Sequence, residues 1–382
     1  MDVHRNRGIQ FLSVASLAFW ATGLTAAGGP AVATASAAAA APAACPHASA
    51  ATPAPKALAG VTAMSARDAW ADGWTSGALP RPVLARWNGS SWNTVSSPAL
   101  RTPAVLLAIA KFPGGLWAVG ASGQTVSGQH RTHLILRVTG TTVRAVPTPR
   151  PLGGKLLSVT ATSARNAWAA GYNSGGGPLI LHWNGSAWTR SVIPAHASGR
   201  ISGVAASSAT NAWAIDNSRH GSAQIWHWNG NRWSRIATPV IKGQTYSLGG
   251  VAATSARNAW AAGTSFVPAT VTVRTVILHW NGARWRRTPS PNPPAPDGNA
   301  LLAVSASSPD NAWAVGTSTA GPSLTEHWNG TSWRAVPAPG CAVLAAVSIL
   351  PSGRGWAVGS FANRMPVILR WNGTSWHSVP LT

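Results

Sequence analysis

The six residues Trp183-Asn184-Gly185-Ser186-Ala187-Trp188 decide the fold of this chain, because the same cassette returns along most of the sequence. About fifteen residues earlier stands a second motif, Asn166-Ala167-Trp168-Ala169. The tryptophan of this second motif occurs seven times, at spacings of 43 to 53 residues. A period in this range is typical of architectures in which each repeat is one supersecondary unit. The seven residues are Trp70, Trp117, Trp168, Trp213, Trp260, Trp313 and Trp356.

The six-residue cassette is complete in six of the seven repeats. Repeat 2 keeps only a turn between Val138 and Val143, but the segments on either side of it still match the other repeats. We therefore count it as a degenerate copy. The complete cassettes lie at 87–92, 183–188, 228–233, 280–285, 328–333 and 371–376.

Inside one repeat, apolar residues recur with a period of two. In repeat 3, the segments 156–162, 167–171, 179–183 and 186–193 are separated by turn-forming residues, and no helical period is sustained. Four-stranded units of about 40 to 50 residues are typical of propeller blades. The sequence therefore predicts an all-β fold, a seven-bladed β-propeller of four-stranded antiparallel blades that fills residues 58–382.

The Asn184-Gly185 pair predicts a tight turn, and two geometries stay open. A two-residue type I′ turn would place Leu181 opposite Trp188. A longer loop would instead place Trp183 directly opposite Trp188. In both cases we expect the indoles to form an apolar surface that packs on the adjacent blade.

The N-terminus predicts export. A basic start with Arg5 and Arg7 is followed by an apolar stretch at 9–24 and by small-residue cleavage sites at 31–33 or 35–37. We interpret residues 1–36 as a secretory signal peptide, with an uncleaved membrane anchor as the alternative. Residues 37–57 are rich in Ala and Pro and predict a flexible lead. An extracellular location follows from this interpretation.

The chain has two cysteines, Cys45 and Cys341. Oxidising surroundings favour their pairing. Cys45 precedes the first strand of blade 1 and Cys341 the first strand of blade 7, and these blades are neighbours in a closed ring. We expect a Cys45–Cys341 disulfide. Lipid modification of Cys45 is the alternative, although residues 42–44 are a poor lipidation signal.

The formal net charge of +22 predicts attraction to polyanions. No nucleic-acid motif is present, so we expect no specific nucleic-acid partner. An anionic cell-wall polymer, a glycan or a protein partner suits an exported chain. We expect contact with the membrane only through the signal peptide, and we expect the protein to be a monomer. The alternative is that the arginines are dispersed surface residues. The outer-strand positions of Arg232, Arg235, Arg284, Arg286 and Arg287 favour that alternative.

Few residues suit catalysis. The acids beyond the signal are too few and too scattered to predict a paired-carboxylate site; they are Asp68, Asp72, Asp216, Asp297, Asp310 and Glu326. His130 and His133 share a loop but have no third ligand nearby. We expect no metal, no cofactor and no catalytic residue. Four histidines precede hairpin tryptophans, in separate blades that cannot converge on one ion, and predict packing roles; they are His182, His227, His279 and His327.

One face of the ring varies between repeats. The Ser-x-x-Asn and Asn-Gly turns are uniform, whereas the loops between strands two and three and the crossovers between blades differ in every repeat. Loops on a rigid scaffold commonly carry function. Trp74 and Tyr172 occupy one equivalent position facing these loops, where an aromatic ring near Asp72 or Asp216 would stack on a sugar; local loop packing is the alternative. The candidate ligand-binding residues are Trp74, Asp72, Tyr172, Asp216, His130 and His133.

The Trp-Ala-Val-Gly segment followed by a hairpin ending in Trp resembles the Asp-box (BNR-repeat) propellers, and especially the seven-bladed photosystem II assembly factor group. Val-Gly stands at 119–120, 315–316 and 358–359. Asp-box hairpins carry Asp-x-Gly, whereas this chain has Trp-Asn-Gly. The sequence is also similar to exported bacterial Trp-Asn-Gly repeat proteins, some of them labelled galactose-oxidase-like or sialidase-like. Those labels imply catalysis, but only two tyrosines, Tyr172 and Tyr246, are present.

Seven-bladed bacterial lectins share a similar Trp-Asp/Asn-Gly-x-x-Trp pattern, which implies sugar pockets between blades. The sequence hypothesis is a non-catalytic extracellular binding module that recognises cell-surface glycans or protein partners through the variable loops. The alternatives are a lectin with inter-blade sugar pockets and a glycoside hydrolase or galactose-oxidase-like enzyme.

Overall fold

The computed structural model describes residues 56–77, 79–123, 132–149, 153–194, 197, 199–217, 222–295, 298–319, 321, 323–361 and 365–382. Within these residues, 28 strands form seven four-stranded antiparallel sheets. Each sheet follows chain order from an innermost to an outermost strand. The predicted seven-bladed propeller is confirmed. In the part of the chain that the structure describes, no helix has the length and apolar character needed to span a bilayer.

The strands have these bounds. Blade 1 contains β1 (Lys56–Ser65), β2 (Asp68–Thr75), β3 (Pro82–Trp87) and β4 (Trp92–Thr94). Blade 2 contains β5 (Ala104–Phe112), β6 (Gly115–Ser122), β7 (Thr132–Thr139) and β8 (Thr142–Ala145), and a 3₁₀ turn at Pro98–Leu100 precedes it. Blade 3 contains β9 (Gly154–Ser163), β10 (Asn166–Asn173), β11 (Pro178–Trp183) and β12 (Trp188–Arg190). Blade 4 contains β13 (Arg200–Ser208), β14 (Asn211–Asn217), β15 (Gln224–Trp228) and β16 (Trp233–Ile236).

The remaining three blades repeat the pattern. Blade 5 contains β17 (Thr245–Ser255), β18 (Asn258–Val267), β19 (Thr272–Trp280) and β20 (Trp285–Thr288). Blade 6 contains β21 (Asn299–Ser308), β22 (Asn311–Ser318), β23 (Ser323–Trp328) and β24 (Trp333–Ala335). Blade 7 contains β25 (Val343–Ile349), β26 (Gly355–Ser360), β27 (Pro366–Trp371) and β28 (Trp376–Ser378). The first strand begins two residues before the predicted boundary at residue 58.

The hairpin cassette adopts the longer of the two predicted turns. Trp183 pairs directly with Trp188, so four residues form the loop. The Asn184 Oδ1 atom accepts hydrogen bonds from the backbone amides of Ser186 and Ala187, at 3.0 Å each. Gly185 has a φ of +102°, which a side chain would disfavour. The asparagine therefore closes the turn with its side chain, and the glycine supplies the backbone conformation.

Tryptophan clusters join the blades. Trp117 of blade 2 lies with its ring centroid 5.1 Å from those of both Trp183 and Trp188 in blade 3. Trp183 and Trp188 are 5% and 3% exposed, so the predicted burial of the hairpin indoles holds in this cassette. The same three-indole packing recurs at every interface where the next blade around the ring has a complete cassette. The second-strand tryptophans at these interfaces are Trp168, Trp213, Trp260, Trp313 and Trp356.

The interface between blades 1 and 2 lacks this cluster because the blade 2 hairpin is degenerate. Trp70 packs there among aliphatic side chains, including Leu116, Val138 and Val143. The ring closes at the opposite interface, where Trp356 contacts the blade 1 hairpin and the Thr382 amide donates to the Trp92 carbonyl at 3.0 Å.

The cysteine prediction is not settled by the structure. Cys341 lies just before β25. Cys45 belongs, with the predicted signal peptide and nearly all of the lead, to residues 1–55, which lie outside the described residues. The Cys45–Cys341 disulfide stays a prediction.

Candidate binding site on the variable rim

The ring has two distinct rims. The turns between first and second strands and the Asn-Gly hairpins open on one of them, which we call the uniform rim: in blade 1, Ser65 pairs with Asp68 and Trp87 with Trp92 near this edge. The loops between second and third strands and the crossovers open on the other, which we call the variable rim. This separation is the one expected from the repeat, and it directs attention to side chains at the ends of the second strands.

Tyr172 is the centre of the candidate site. It lies near the end of β10, on the variable rim, and pairs across the strands with Lys155 of the innermost strand β9. Directly opposed residues of antiparallel strands place their side chains on the same face. Tyr172 and Lys155 are therefore neighbours on the face of blade 3 that also carries Trp168, and Trp168 packs against blade 4.

Blade 4 contributes an arginine to this place. The Arg200 guanidinium carbon lies 4.4 Å from the centroid of the Tyr172 ring, a cation–π contact across the blade boundary. Arg200 is the first residue of β13 and is half-buried. Two cations from adjacent innermost strands thus flank one aromatic ring.

Asp216 lies beside the residue that precedes β13, in the interior of the ring. Six blades have glycine at the equivalent position, where a side chain would meet an inner-strand carbonyl; Asp216 is the exception. Its carboxylate occupies the space beside Gly199, since a β-carbon placed there would lie 2.0 Å from Asp216 Oδ1. Asp216 is fully buried. It fills the interior space beside the start of β13 and does not meet a ligand at the surface.

His133 approaches Tyr172 from the other side. Its Nε2 atom lies 3.2 Å from the Tyr172 carbonyl oxygen, linking blade 2 to blade 3. Burial lowers the pKa of His133, and the contact with this carbonyl partly offsets the effect. His130, the other histidine of the predicted pair, lies outside the described residues. Three predicted residues, His133, Tyr172 and Asp216, therefore belong to one sector of the variable rim.

The remaining two predicted residues lie apart from this sector, in blade 1. Trp74 occupies the position equivalent to Tyr172 and is partly buried, but its cross-strand partner is Ala57 instead of a lysine. Asp72 is fully buried. Its burial does not fit the role that the sequence suggested, a carboxylate that meets sugar hydroxyls at the rim.

Asp72 is a polar residue in an apolar interface. Blades 2, 6 and 7 have valine at its position, and the residue paired with it, Gly60, leaves room for the carboxylate: a β-carbon on Gly60 would lie 2.3 Å from Asp72 Oδ1. Burial raises the pKa of Asp72 from 3.8 to about 8. The Gly60 amide lies close enough to moderate this effect, but neither carboxylate oxygen accepts a well-formed hydrogen bond. At neutral pH the carboxyl is protonated.

Glu326 is a second buried acid, at the interface of blades 5 and 6. The Ser290 hydroxyl donates to its Oε2 atom at 2.8 Å, and Ser290 in turn lies 2.7 Å from the Thr275 hydroxyl. Burial raises the pKa of Glu326 to about 8, and the Ser290 hydrogen bond opposes the shift. Asp72 and Glu326 belong to different interfaces, so they do not form an acid–base pair.

The histidines that precede the hairpin tryptophans have structural contacts. His182 stacks on Trp168 with a centroid distance of 4.0 Å, and its Nε2 atom lies 2.8 Å from Asn166 Oδ1. Burial lowers the pKa of His182. In blade 1 the corresponding pair is charged: Arg86 lies over Trp70 and bonds Asp68 at 3.0 Å. Equivalent histidine–asparagine bonds are made by His227, His279 and His327.

Sequence reasoning missed Lys155 and Arg200. Both occupy the inner-strand position that pairs with the end of the second strand, and the other five blades have small or apolar residues there: Ala57, Val105, Ser247, Ala300 and Val343. An alignment of the seven repeats at this position would have revealed two adjacent cations. Among the described residues no group of three His, Cys, Asp or Glu side chains is placed to hold a metal ion.

Comparisons with known proteins support the fold. No protein-family model matches the chain, and no curated protein is similar to it. Two solved structures of YCF48 are similar. The structure bound to a D1 peptide has 14% identity, covers 84% of this chain and 92% of that chain, and has a TM-score of 0.54. The structure from Cyanidioschyzon merolae has 15% identity, covers 84% of this chain and 97% of that chain, and has a TM-score of 0.56.

A GH74 xyloglucanase from Xanthomonas campestris is also similar, with 15% identity and a TM-score of 0.58; the match covers 85% of this chain but only 54% of the xyloglucanase chain. Identities this low establish architecture and leave activity open. The chain is a seven-bladed β-propeller with the architecture of these proteins.

Proposed function

We propose that this protein is a non-catalytic extracellular binding module that recognises an acidic cell-surface glycan through the variable rim of blades 3 and 4. The observation that carries the proposal is the grouping of Lys155, Tyr172 and Arg200 at one blade boundary. A sugar that bears a carboxylate or phosphate combines an apolar ring face with a negative charge. An aromatic side chain between two cations matches both features.

The stacking of Arg200 on Tyr172 supports binding by preorganisation. An exposed arginine loses rotamer freedom when it pairs with an anion, and this loss weakens binding. A guanidinium already held over a ring has lost part of that freedom. The contact of His133 with the Tyr172 carbonyl also restrains the backbone that carries the ring.

The same arrangement favours a single site over a lectin with one pocket per blade gap. Such a lectin repeats its polar pocket residues, whereas Lys155 and Arg200 have no cationic equivalent in the other five blades. The enzyme alternative rests on the resemblance to Trp-Asn-Gly repeat proteins with enzyme labels and on likeness of fold to proteins such as the xyloglucanase.

The experiment is an array of neutral and acidic glycans and cell-wall polymers, probed at low and high salt. Wild-type protein is compared with Tyr172→Thr/Arg200→Ala, which introduces residues found at these positions in blades 5 and 6. We expect binding to a carboxylated or phosphorylated glycan that survives high salt and falls about tenfold or more in the variant, because a lost charge-assisted contact costs about 1.5–3 kcal/mol.

The matched control is Trp74→Thr, at the equivalent aromatic position of blade 1. It should leave glycan binding unchanged. Equal loss in both variants, or wild-type binding that disappears at high salt, would contradict recognition at Tyr172.

A protein partner is the second candidate, and exposed valines favour it. Val192 and Val240 lie in the crossovers that follow blades 3 and 4 and are 84% and 95% exposed. Val271 lies in the β18–β19 hairpin of blade 5 and is 74% exposed. All three are on the side of the variable rim. One of the similar structures is a complex with a peptide. If a protein is the ligand, Val240→Ser/Val271→Ser should abolish capture of that protein and leave the glycan array unchanged.

A further inference from the structure

The segment from residue 217 to residue 296 contains no acidic residue. It spans most of blades 4 and 5 together with the crossover that joins them. Nine basic residues lie in the segment: Arg219, Arg232, Arg235, Lys242, Arg257, Arg274, Arg284, Arg286 and Arg287. Residues 73–215 also contain no acid and hold 12 basic residues, but over a longer stretch, so blades 4 and 5 carry more positive charge per residue.

Six of these arginines lie where the uniform rim meets the outer edge, and we call this set the basic corner: Arg232, Arg235, Arg257, Arg284, Arg286 and Arg287. All six are exposed. It lies at the opposite rim from the Tyr172 site, so the two surfaces are separate.

Blade 5 brings four members of the basic corner together. Arg257 stands in the turn before β18 and packs against the hairpin, since a β-carbon on Gly282 would lie 3.1 Å from its Cγ atom. Arg284 is the last residue of that hairpin loop, and its amide donates to Asn281 Oδ1 at 3.0 Å. The first turn and the hairpin thus present two guanidinium groups at one place.

The other two members lie on β20, the outermost strand of blade 5. Arg286 pairs with His279 and Arg287 with Leu278. Adjacent residues of a strand point to opposite faces of the sheet, so the two arginines extend to both sides of this edge. A chain that passes along the edge of blade 5 meets positive charge on either side.

Protection of an open sheet edge does not account for this density. A single charged residue on a short edge strand is enough to discourage edge-to-edge pairing. Blade 3 has Arg190 as its one outer-strand arginine, and blade 6 has Arg334. Only in blade 5 do two arginines on the outer strand coincide with arginines in both the first turn and the hairpin loop.

We infer that the basic corner docks a linear phosphodiester polymer of the cell envelope. Arginine binds phosphate oxygens through paired N–H donors, and an extended polyanion fits a row of exposed guanidinium groups with no acid between them. Single-stranded nucleic acid usually requires aromatic side chains on which bases stack. Of the indoles in the two hairpins of the corner, Trp233, Trp280 and Trp285 are buried and Trp228 is half-buried, which favours a polymer without bases.

The test measures binding of fluorescent poly(glycerol phosphate) by anisotropy over about 50 to 400 mM NaCl. The corner variant is R284S/R286T/R287A, in which each new residue already stands at that position in blade 6 or blade 3. The control, R67T/R165T/R190T, removes the same charge from exposed sites in blades 1 and 3, again with residues found in other blades. Thermal unfolding confirms that both variants fold.

We expect the corner variant to bind about tenfold more weakly or worse near 100 mM salt, with the slope of log K against log salt reduced by about 2. The control should change the affinity less than about threefold, because the long-range field is altered equally in both variants. Tyr172→Thr/Arg200→Ala should retain polymer binding, which separates this surface from the glycan site.

Three results would overturn the inference. If wild-type protein does not bind the polymer, the docking surface does not exist. If both triple variants lose affinity equally, net charge alone is responsible. If duplex or single-stranded DNA binds more tightly than poly(glycerol phosphate) and depends on the same arginines, the surface serves nucleic acid instead.

Discussion

Replacing Asp72 by valine should stabilise this propeller at neutral pH. The carboxyl is fully buried between blades 1 and 2, and its pKa is raised from 3.8 to about 8. The folded state therefore keeps a proton that the unfolded state releases. A solution at pH 7 is about three pH units above the pKa of Asp72 in the unfolded chain. Keeping the carboxyl protonated in the folded state costs about 1.4 kcal/mol per unit, so Asp72 destabilises the fold by about 4 kcal/mol.

The sign of this effect follows from proton binding. Between pH 4 and pH 8 the folded state binds more protons at Asp72 than the unfolded state, so the contribution of this group to stability falls as pH rises. The half-buried histidines His182 and His227 act in the opposite direction: their lowered pKa values make the fold less stable as pH falls below about 6.5. The Asp72 contribution must therefore be measured as the difference between variants, not from the wild-type profile alone.

The assay is denaturant unfolding followed by tryptophan fluorescence between pH 4 and pH 8. The stability gained by Asp72→Val should be small near pH 4 and grow by roughly 1.4 kcal/mol per pH unit toward pH 8. Asp72→Asn serves as a control that removes the titration but leaves a buried polar group. Parallel wild-type and Asp72→Val profiles across this range would refute the reasoning.

The repeat supplies a second control for the same site. Blades 2, 6 and 7 pair valine at the Asp72 position with alanine at the Gly60 position. Gly60→Ala alone should destabilise the protein, because its β-carbon would lie 2.3 Å from the carboxylate. Added to Asp72→Val it should cost less, because only the contacts of 3.1 Å with the Ile109 nitrogen and 3.2 Å with the Ala108 Cα atom remain. Equal costs in both backgrounds would show that the close approach is relieved in some other way.

Three further outcomes are expected. Trp117→Ala should lower the stability by about 3–5 kcal/mol in denaturant unfolding, and more than Trp70→Ala, because it removes the centre of a three-indole cluster; a larger effect at Trp70 would contradict this. Gly185→Ala should cost about 1 kcal/mol or more, since its φ is +102°, and an unchanged unfolding midpoint would show that the turn adapts. Mass spectrometry of exported protein under non-reducing conditions should find Cys45 and Cys341 linked; detection of two free thiols would exclude the bridge.

The ring was predictable from sequence because each blade repeats one solution to the same packing problem. Trp168 of blade 3 and the two hairpin tryptophans of blade 4, Trp228 and Trp233, bury one another. The spacing of these three residues therefore specifies the blade. The turn geometry could not be predicted, because an Asn-Gly pair suits both loop lengths. The asparagine side chain decided it by accepting two backbone amides.

The candidate site was only partly predictable. Tyr172 is an aromatic residue that departs from the repeat, so it could be predicted. Its partners Lys155 and Arg200 lie on the inner strands, where a single cation is not a recognisable motif. Asp72 and Asp216 also depart from the repeat, and the sequence predicts exposure at the rim for them. They replace a core valine and a packing glycine, so both lie inside the ring.

The burial of the acids has a consequence for ligand selection. Of the described acids, Asp72, Asp216 and Glu326 are fully buried and Asp68 is paired with Arg86, which leaves Asp310 as an exposed acid. The outer surface is thus positive almost everywhere, and long-range attraction draws a polyanion to every side of the ring. Position can be selected only by local chemistry: by charge density at the basic corner, or by the ring and cations at Tyr172. Salt screens binding by charge density at the basic corner far more than binding at the Tyr172 site. Raising the ionic strength should therefore release a polymer from the corner while a glycan stays bound at the variable rim.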